Sequence, residues 1–267
     1  MRLFLLLFLC STYQYNTNMK LEIAAIEELT NTPFYEEESK PQGIVMYTDS
    51  TFLHSVHHND IKSTVYQIRK SDQAIINEFD MPLDATHTSG LAMFEDMLLA
   101  VDYASNKIYS IDAGESLQSG VVKVIDEFAT GLRGTSAISC FEYNDKFLIA
   151  VSDFLNSRKT YILDLENLLE TKDFFRSKLA QYNNGWFSQG VAFVDGYIYE
   201  SRNSTFGNSY IECRKISDII DGNKINVSKV RTPLKGIEDL DFDGEYWWVS
   251  DEKSYKFYKI TIKNSNG

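Results

Sequence analysis

An all-β chain folded as a five-bladed propeller is what this sequence predicts, on three observations. One unit recurs five times, starting at Gln42-Gly43-Ile44, Ser89-Gly90-Leu91, Ser136-Ala137-Ile138, Gln189-Gly190-Val191 and Glu238-Asp239-Leu240, at spacings of 47, 47, 53 and 49 residues. Repeats of roughly 40–50 residues made of short strands mark propeller blades, which bury their faces only against neighbouring blades. Within each unit, short continuous apolar runs are bounded by turn formers, as strands covered on both faces require. Finally, Asp195-Gly196 and Asp243-Gly244 sit between apolar runs, a strong hairpin signal. Six blades with a degenerate first unit is the rival architecture, and it needs more chain than is present.

The elements follow in order. Residues 20–29 carry strand-like apolar content ahead of the first repeat, whose own strands (44–46, 51–54 and 63–68) are the weakest of the five. The second repeat is the template: a strand at 90–94, the turn Glu95-Asp96, strands at 97–102 and 107–111, and a fourth strand at 121–128. The third has a longer turn, Tyr143-Asn144-Asp145-Lys146, and residues 166–179 read as a helical insert that explains the longest interval. The fourth runs through 191–193 and 197–200, and the fifth through 240–242, 246–250 and 257–262. Because the chain ends soon after that third strand, the amino-terminal segment is expected to complete the last blade and remove an unpaired edge.

Met1-Arg2 followed by the apolar run 3–10 has the form of a signal peptide, with residues 1–18 as leader and 19–267 as a single propeller domain. The run is too short to span a bilayer stably. A secreted or periplasmic location follows, or a cytosolic one if Met19 is the true start. Cys10 ends the run as in a lipoprotein signal, but no small residue precedes it. Beyond the leader only Cys140 and Cys213 remain, so stability must come from a packed core; spacing leaves open whether they pair. Asn203-Ser204-Thr205 and Asn226-Val227-Ser228 match the glycosylation pattern. With 26 Lys and Arg against 38 Asp and Glu, the net charge of −12 disfavours nucleic acid and anionic membranes as partners. It suits a cationic ligand or a divalent cation, or simply keeps the surface soluble.

Antiparallel geometry places the start of strand one and the end of strand two of each blade on one face of the ring. Strand two of the four strongest repeats ends in an acid: Asp102, Asp153, Glu200 and Asp251. The starts of strand one add Gln42, His87, Ser136, Gln189, Glu238 and Asp239 to the same rim. Such a mouth can take a divalent cation through oxygen ligands, or transfer a proton through a carboxyl raised by like-charged neighbours. Against this, an Asp closing a strand commonly accepts hydrogen bonds from the next turn, which reads Asp102, Asp153 and Asp251 as turn caps. Glu200 breaks that pattern, since Glu caps turns poorly. His57-His58 reads as a solvated turn before it reads as a ligand pair. No H-E-x-x-H, C-x-x-C, G-x-S-x-G or Gly-rich phosphate loop occurs, which removes support for zinc proteolysis, thiol redox chemistry, α/β-hydrolase action and nucleotide binding. No cofactor is required by these residues.

Phe187-Ser188-Gln189-Gly190-Val191, then Asp195-Gly196, Tyr199-Glu200-Ser201 and Phe206-Gly207-Asn208-Ser209, resembles the F-T-Q-G-L, D-G, Y-E-S and Y-G-x-S pattern of the five-bladed glutaminyl cyclases. The likeness covers one blade, with Arg202-Asn203 where that family has Thr-Gly. It implies a proton-transfer role for Glu200, with Gln189 and Ser201 beside it. More generally the chain resembles lactonase-like and NHL-type propellers, without the lactonases' metal-binding motifs. The expectation is a propeller whose acidic mouth binds a small molecule or peptide. Its alternatives are a glutaminyl-peptide cyclase using Glu200, a metal-dependent lactonase-like hydrolase, and a module holding a protein or glycan partner.

Overall fold

The computed structural model describes residues 19–29, 39–59, 61–154, 156–204 and 206–266. The leader at 1–18, and Thr205 of one glycosylation triplet, lie outside the described residues. Five four-stranded antiparallel sheets form the ring. Strand β1 (Met19–Glu28) comes first in the chain. The first blade is β2 (Ser39–Thr48), β3 (Thr51–His58), β4 (Lys62–Arg69) and β5 (Ile75–Asp80). The second is β6 (Thr88–Phe94), β7 (Met97–Asp102), β8 (Lys107–Asp112) and, after helix α1 (Ala113–Ser119), β9 (Val124–Ala129). The third is β10 (Thr135–Tyr143), β11 (Lys146–Asp153), β12 (Lys159–Asp164), helix α2 (Leu165–Thr171) and β13 (Lys178–Asn183). The fourth is β14 (Ser188–Val194), β15 (Tyr197–Asn203), β16 (Ser209–Lys215), helix α3 (Ile216–Ile220) and β17 (Ser228–Thr232). The last comprises β18 (Ile237–Phe242), β19 (Trp247–Asp251) and β20 (Lys256–Asn266), with β1 as its outer strand, in the order β1-β20-β19-β18. The two ends of the described chain thus close the circle in one sheet, through a register running from Met19↔Asn266 to Glu28↔Tyr258.

The continuous apolar runs have a direct reason. Each of five buried clusters occupies one seam between adjacent blades: Leu98 and Leu91 pack toward the first blade, whereas Leu99 and Ala92 pack toward the third. Successive residues of a strand point to opposite faces, and here both faces are seams, so both are mainly apolar and any polar side chain on them needs a buried partner. The seam that joins the last blade to the first holds Ile44, Phe52, Val56, Trp248 and Phe257, with Phe52 and Phe257 edge to face at 5.2 Å.

Two local readings are corrected. The insert at 166–179 is a seven-residue helix at its start, while 178–183 is the blade's own outer strand. Helices stand at the same place in the second and fourth blades too. The Asp112 and Asp164 side chains cap two of them by accepting from the Glu115 and Asn167 amides, a signal present in the sequence as Asp-x-x-Glu and Asp-x-x-Asn. The fourth strand of the second blade begins at Val124 rather than at residue 121.

Cys140 and Cys213 are free thiols in different seams, and burial pushes both up to about 12, so neither is a ready nucleophile. Among the described residues no helix is long and apolar enough to cross a membrane.

Candidate functional site

Every inner strand slips register by one residue near its start: between Pro41 and Ile44, Thr88 and Gly90, Thr135 and Ala137, Ser188 and Gly190, and Ile237 and Asp239. A bulge re-aims the side chain it carries. Here the bulged column is polar in all five blades: Gln42, Ser89, Ser136, Gln189 and Glu238. The repeat thereby lifts five side chains out of the apolar alternation at one mouth of the channel.

Around that mouth lies an arc of rings that the sequence reading missed. His57 stacks on His87 with centroids 4.1 Å apart and planes 15° apart. His87 meets Tyr103 at 5.3 Å, Tyr103 meets Phe154 at 5.9 Å, and Phe154 meets Phe187 at 5.3 Å. Trp186 continues the arc outward under the Arg158 guanidinium, which sits 3.6 Å from its ring. The residues come from the starts of inner strands and the ends of second strands in four consecutive blades. Asp102-Tyr103 and Asp153-Phe154 were the available signal, an aromatic one residue past the acid in two repeats. Phe187 has φ 58°, a left-handed conformation rarely adopted by a bulky residue; the equivalent position of the third blade is Gly134, φ 112°. Strain of this kind costs about 1 kcal/mol or more and persists where the surroundings hold it.

The rest of the circle is charged. Lys40 Nζ lies 3.2 Å from Glu252 Oε1. Glu238 is 4% exposed, and its carboxyl is pushed well above the usual range by burial and then by the neighbouring Glu252 carboxylate. Burial opposes the charge on Glu252 as well, but the hydrogen bond from Glu238 and the Lys40 charge hold its carboxyl low. Neighbouring carboxyls resist ionising together, and of the two Glu238 is the one that holds a proton more readily. Gln42 is buried, with Nε2 donating to the Pro41 carbonyl and Oε1 3.2 Å from His87 Nε2. Gln189 is half-buried on the fourth blade.

The remaining candidates are engaged by the fold itself. Asp102 accepts from the His87 and Ser105 amides, Asp153 from Asn156 and Ser157, and Asp251 from Lys235, Gly236, Lys253 and Ser254. Both oxygens of all three are engaged by backbone, the geometry of turn caps. Ser201 is fully buried beneath Gly190. Among the described residues no group of three or more His, Cys, Asp or Glu is placed to hold a metal ion.

Glu200 is fully buried and faces the seam with the third blade. Its Oε1 accepts from Thr160, from Ser152 at 3.2 Å and from Ser188 at 3.5 Å, and its Oε2 accepts from Arg214 Nη1 at 2.7 Å. Arg214 Nη2 also donates to Glu212 Oε2 at 2.5 Å, and Arg202 Nη1 to Glu212 Oε1 at 2.5 Å. Burial pushes the Glu212 carboxyl up, but the two guanidiniums overcome it and hold it below the usual range. Glu200, Arg202, Glu212 and Arg214 alternate along adjacent strands of one blade face, forming a charge-compensated ladder where other seams are apolar. Arg214 and Glu212 carried no signal in the sequence, because their spacing is that of any alternating strand.

Below the mouth, the channel narrows and then opens into a cavity of about 140 Å³ lined by Ile44, Leu91, Ile138, Val191, Leu240 and Asp241. Asp241 accepts from the Met46 amide at 2.7 Å and the Phe242 amide at 2.9 Å, and burial pushes its carboxyl up to about 6 despite both bonds. Its folded value therefore lies above the unfolded one, near 3.8. The fold favours the protonated form, and that contribution is present in acid and lost as pH rises through about 6. Because Asp241 keeps some exposure to the cavity, the loss is on the order of 1–2 kcal/mol. Urea titrations between pH 4.5 and 7.5 are expected to show wild type losing stability relative to Asp241→Asn by that amount; parallel curves would exclude it.

No family model matches the sequence, and no curated protein does. Solved structures do match in fold. Glutaminyl cyclase from Myxococcus xanthus has a TM-score of 0.59 at 9% identity, over 92% of this chain and 98% of that one. The PQQ-bound aldose sugar dehydrogenase from Streptomyces coelicolor gives 0.53 at 9%, covering 90% and 98%. The WD40 repeats of RRP9 give 0.51 at 10%, covering 91% and 100%. At such identities the likeness is one of fold, and it places this chain among the β-propellers.

Proposed function

We propose that this protein binds a small, most favourably peptidic, ligand at the bulged mouth of its channel. The observation that carries the reading is the aromatic arc from His57 to Phe187, completed into a circle by Lys40, Glu252 and Glu238. Rings supply apolar contact at low entropic cost, while a few buried polar groups fix orientation, the usual composition of a ligand site. Lys40, Gln42, Gln189, Glu238 and Glu252 are the polar groups that set the ligand's orientation. Trp186, 45% exposed beside the arc, is a built-in reporter. A panel of short peptides with free amino termini, glutamine-first members included, is expected to change its fluorescence saturably. Phe187→Gly is expected to weaken that binding about tenfold or more while leaving stability within about 1 kcal/mol, since relief of backbone strain offsets lost ring contacts. A panel that leaves the signal unchanged would refute the reading.

A second reading is cyclisation of amino-terminal glutamine. It is supported by the fourth-blade motif and by the fold shared with the Myxococcus xanthus glutaminyl cyclase. In that reaction the peptide's amine attacks its own side-chain amide and ammonia leaves protonated, which one carboxyl can serve. Glu200 is the residue that the motif singles out, although Arg214 and three hydroxyls already engage it. Glu238 is the carboxyl at the mouth itself whose affinity for a proton burial raises. Incubation with a glutaminyl peptide, followed by mass spectrometry, decides the matter: loss of ammonia abolished by Glu200→Gln supports the motif-based assignment, loss abolished only by Glu238→Gln moves the role, and an unchanged mass removes the enzyme.

A further inference from the structure

One aligned column of the inner strands reads Gly43, Gly90, Ala137, Gly190 and Asp239, four small residues and one acid. The strands approach so closely here that a Cβ on Gly90 would stand 2.8 Å from the Ala137 Cα, and one on Gly190 would stand 2.6 Å from the Asp239 Cα and against Asp239 Oδ1. At this level of the axis Asp239 is the one member of the column with a side chain longer than a methyl group. Asp239, 1% exposed, accepts from the Ile44 amide at 3.0 Å through Oδ2 and from its own Leu240 amide at 2.9 Å through Oδ1, and the Leu91 amide of the second blade lies close enough to favour its charge. Its carboxyl therefore touches the first, second, fourth and last blades at once. Ile44, Leu91 and Leu240 occupy equivalent positions, opposite His54, Ala100 and Val249, where an antiparallel pair turns its N–H groups outward. In a propeller, outward from the innermost strand means toward the axis.

We propose that the waist of this propeller is a carboxyl-binding site made of inner-strand amides from three blades, occupied by Asp239 as a tethered ligand. Converging backbone N–H groups form a receptor for carboxylates wherever they occur. The tethered group closes the channel, so a ligand at the mouth does not pass through, and it ties the last blade to the first on the inside as β1 does on the outside. This holds whatever the mouth binds.

Asp239→Gly restores the pattern of the other blades and vacates the site. Formate is expected to fill it: the variant's melting midpoint, lowered relative to wild type, rises saturably by about 4 °C or more in sodium formate over sodium chloride of equal ionic strength. Wild type and Asp239→Asn, whose side chains fill the space, show no such difference. If Asp239→Gly does not fold unaided, refolding yield with formate against chloride becomes the readout, and formate is expected to restore it. Equal responses in all three proteins, a glycine variant as stable as wild type, or no effect of formate on midpoint or yield would overturn the proposal.

Discussion

Replacing Arg214 with methionine is expected to cost about 3–5 kcal/mol, because it removes one partner of a buried ion pair and leaves the other charge without compensation in a dry seam. Arg214 is 3% exposed and is the residue through which Glu200 and Glu212, paired across adjacent strands, are held together rather than apart. Without it two carboxylates face each other, and Glu212 keeps Arg202 and Lys229 while Glu200 keeps only hydroxyl donors. A domain is commonly stable by about 5–15 kcal/mol, so the variant stands near the limit of folding. Glu200→Gln is expected to cost less, about 1–2 kcal/mol, since the amide oxygen still accepts from Thr160 and Ser152 and Arg214 retains Glu212. Urea unfolding of both variants tests the ordering; an Arg214→Met protein within 1 kcal/mol of wild type would show the ladder to be dispensable.

Deleting residues 19–29 is expected to have a still larger effect. The segment buries Leu21 and Leu29 almost completely, half-buries Ile23 and Ile26, and pairs along the length of β20. At about 1.5–3 kcal/mol for each fully buried aliphatic side chain, the loss is on the order of 5 kcal/mol before the exposed strand edge is considered. That edge would be long and unpaired, an invitation to association between chains. The shortened chain is thus expected to be recovered as aggregate, or as a soluble species that melts at least 10 °C lower, a shift that such a loss implies for a domain of this size. A synthetic peptide of residues 19–29 added during refolding is expected to restore part of the yield. A monomer melting with wild type would show that ring closure rests on the seams alone.

Strand pairing across the ends of the chain was legible in the sequence because it follows from arithmetic: a last repeat one strand short, and a spare apolar segment before the first. The ladder around Arg214 was not legible. Glu200 stood out as an acid expected to share the strand-two position of Asp102, Asp153 and Asp251, but the register puts Arg202 there and Glu200 two residues earlier, within the strand. Nothing in its neighbourhood along the chain names Thr160 or Ser152, which lie 40 and 48 residues away. The mouth falls between these cases. Its bulged column could be read from the repeat phase, which yielded Gln42, Gln189 and Glu238, whereas the aromatic arc draws its members from both strand starts and strand ends.

The amino-acid order by itself determined that the fold is a closed ring of five blades and which column of residues stands at which height, because hydrophobic period and turn chemistry are local properties that survive without knowledge of neighbours. Only the tertiary structure decided what each acid does. Asp102, Asp153 and Asp251 are bound to turns, Glu200 to a guanidinium, Glu238 to another carboxyl, and Asp239 to amides of the first and last blades. A carboxyl group's role is set by the partners within hydrogen-bonding reach, and in a propeller those partners arrive from strands far away in the chain.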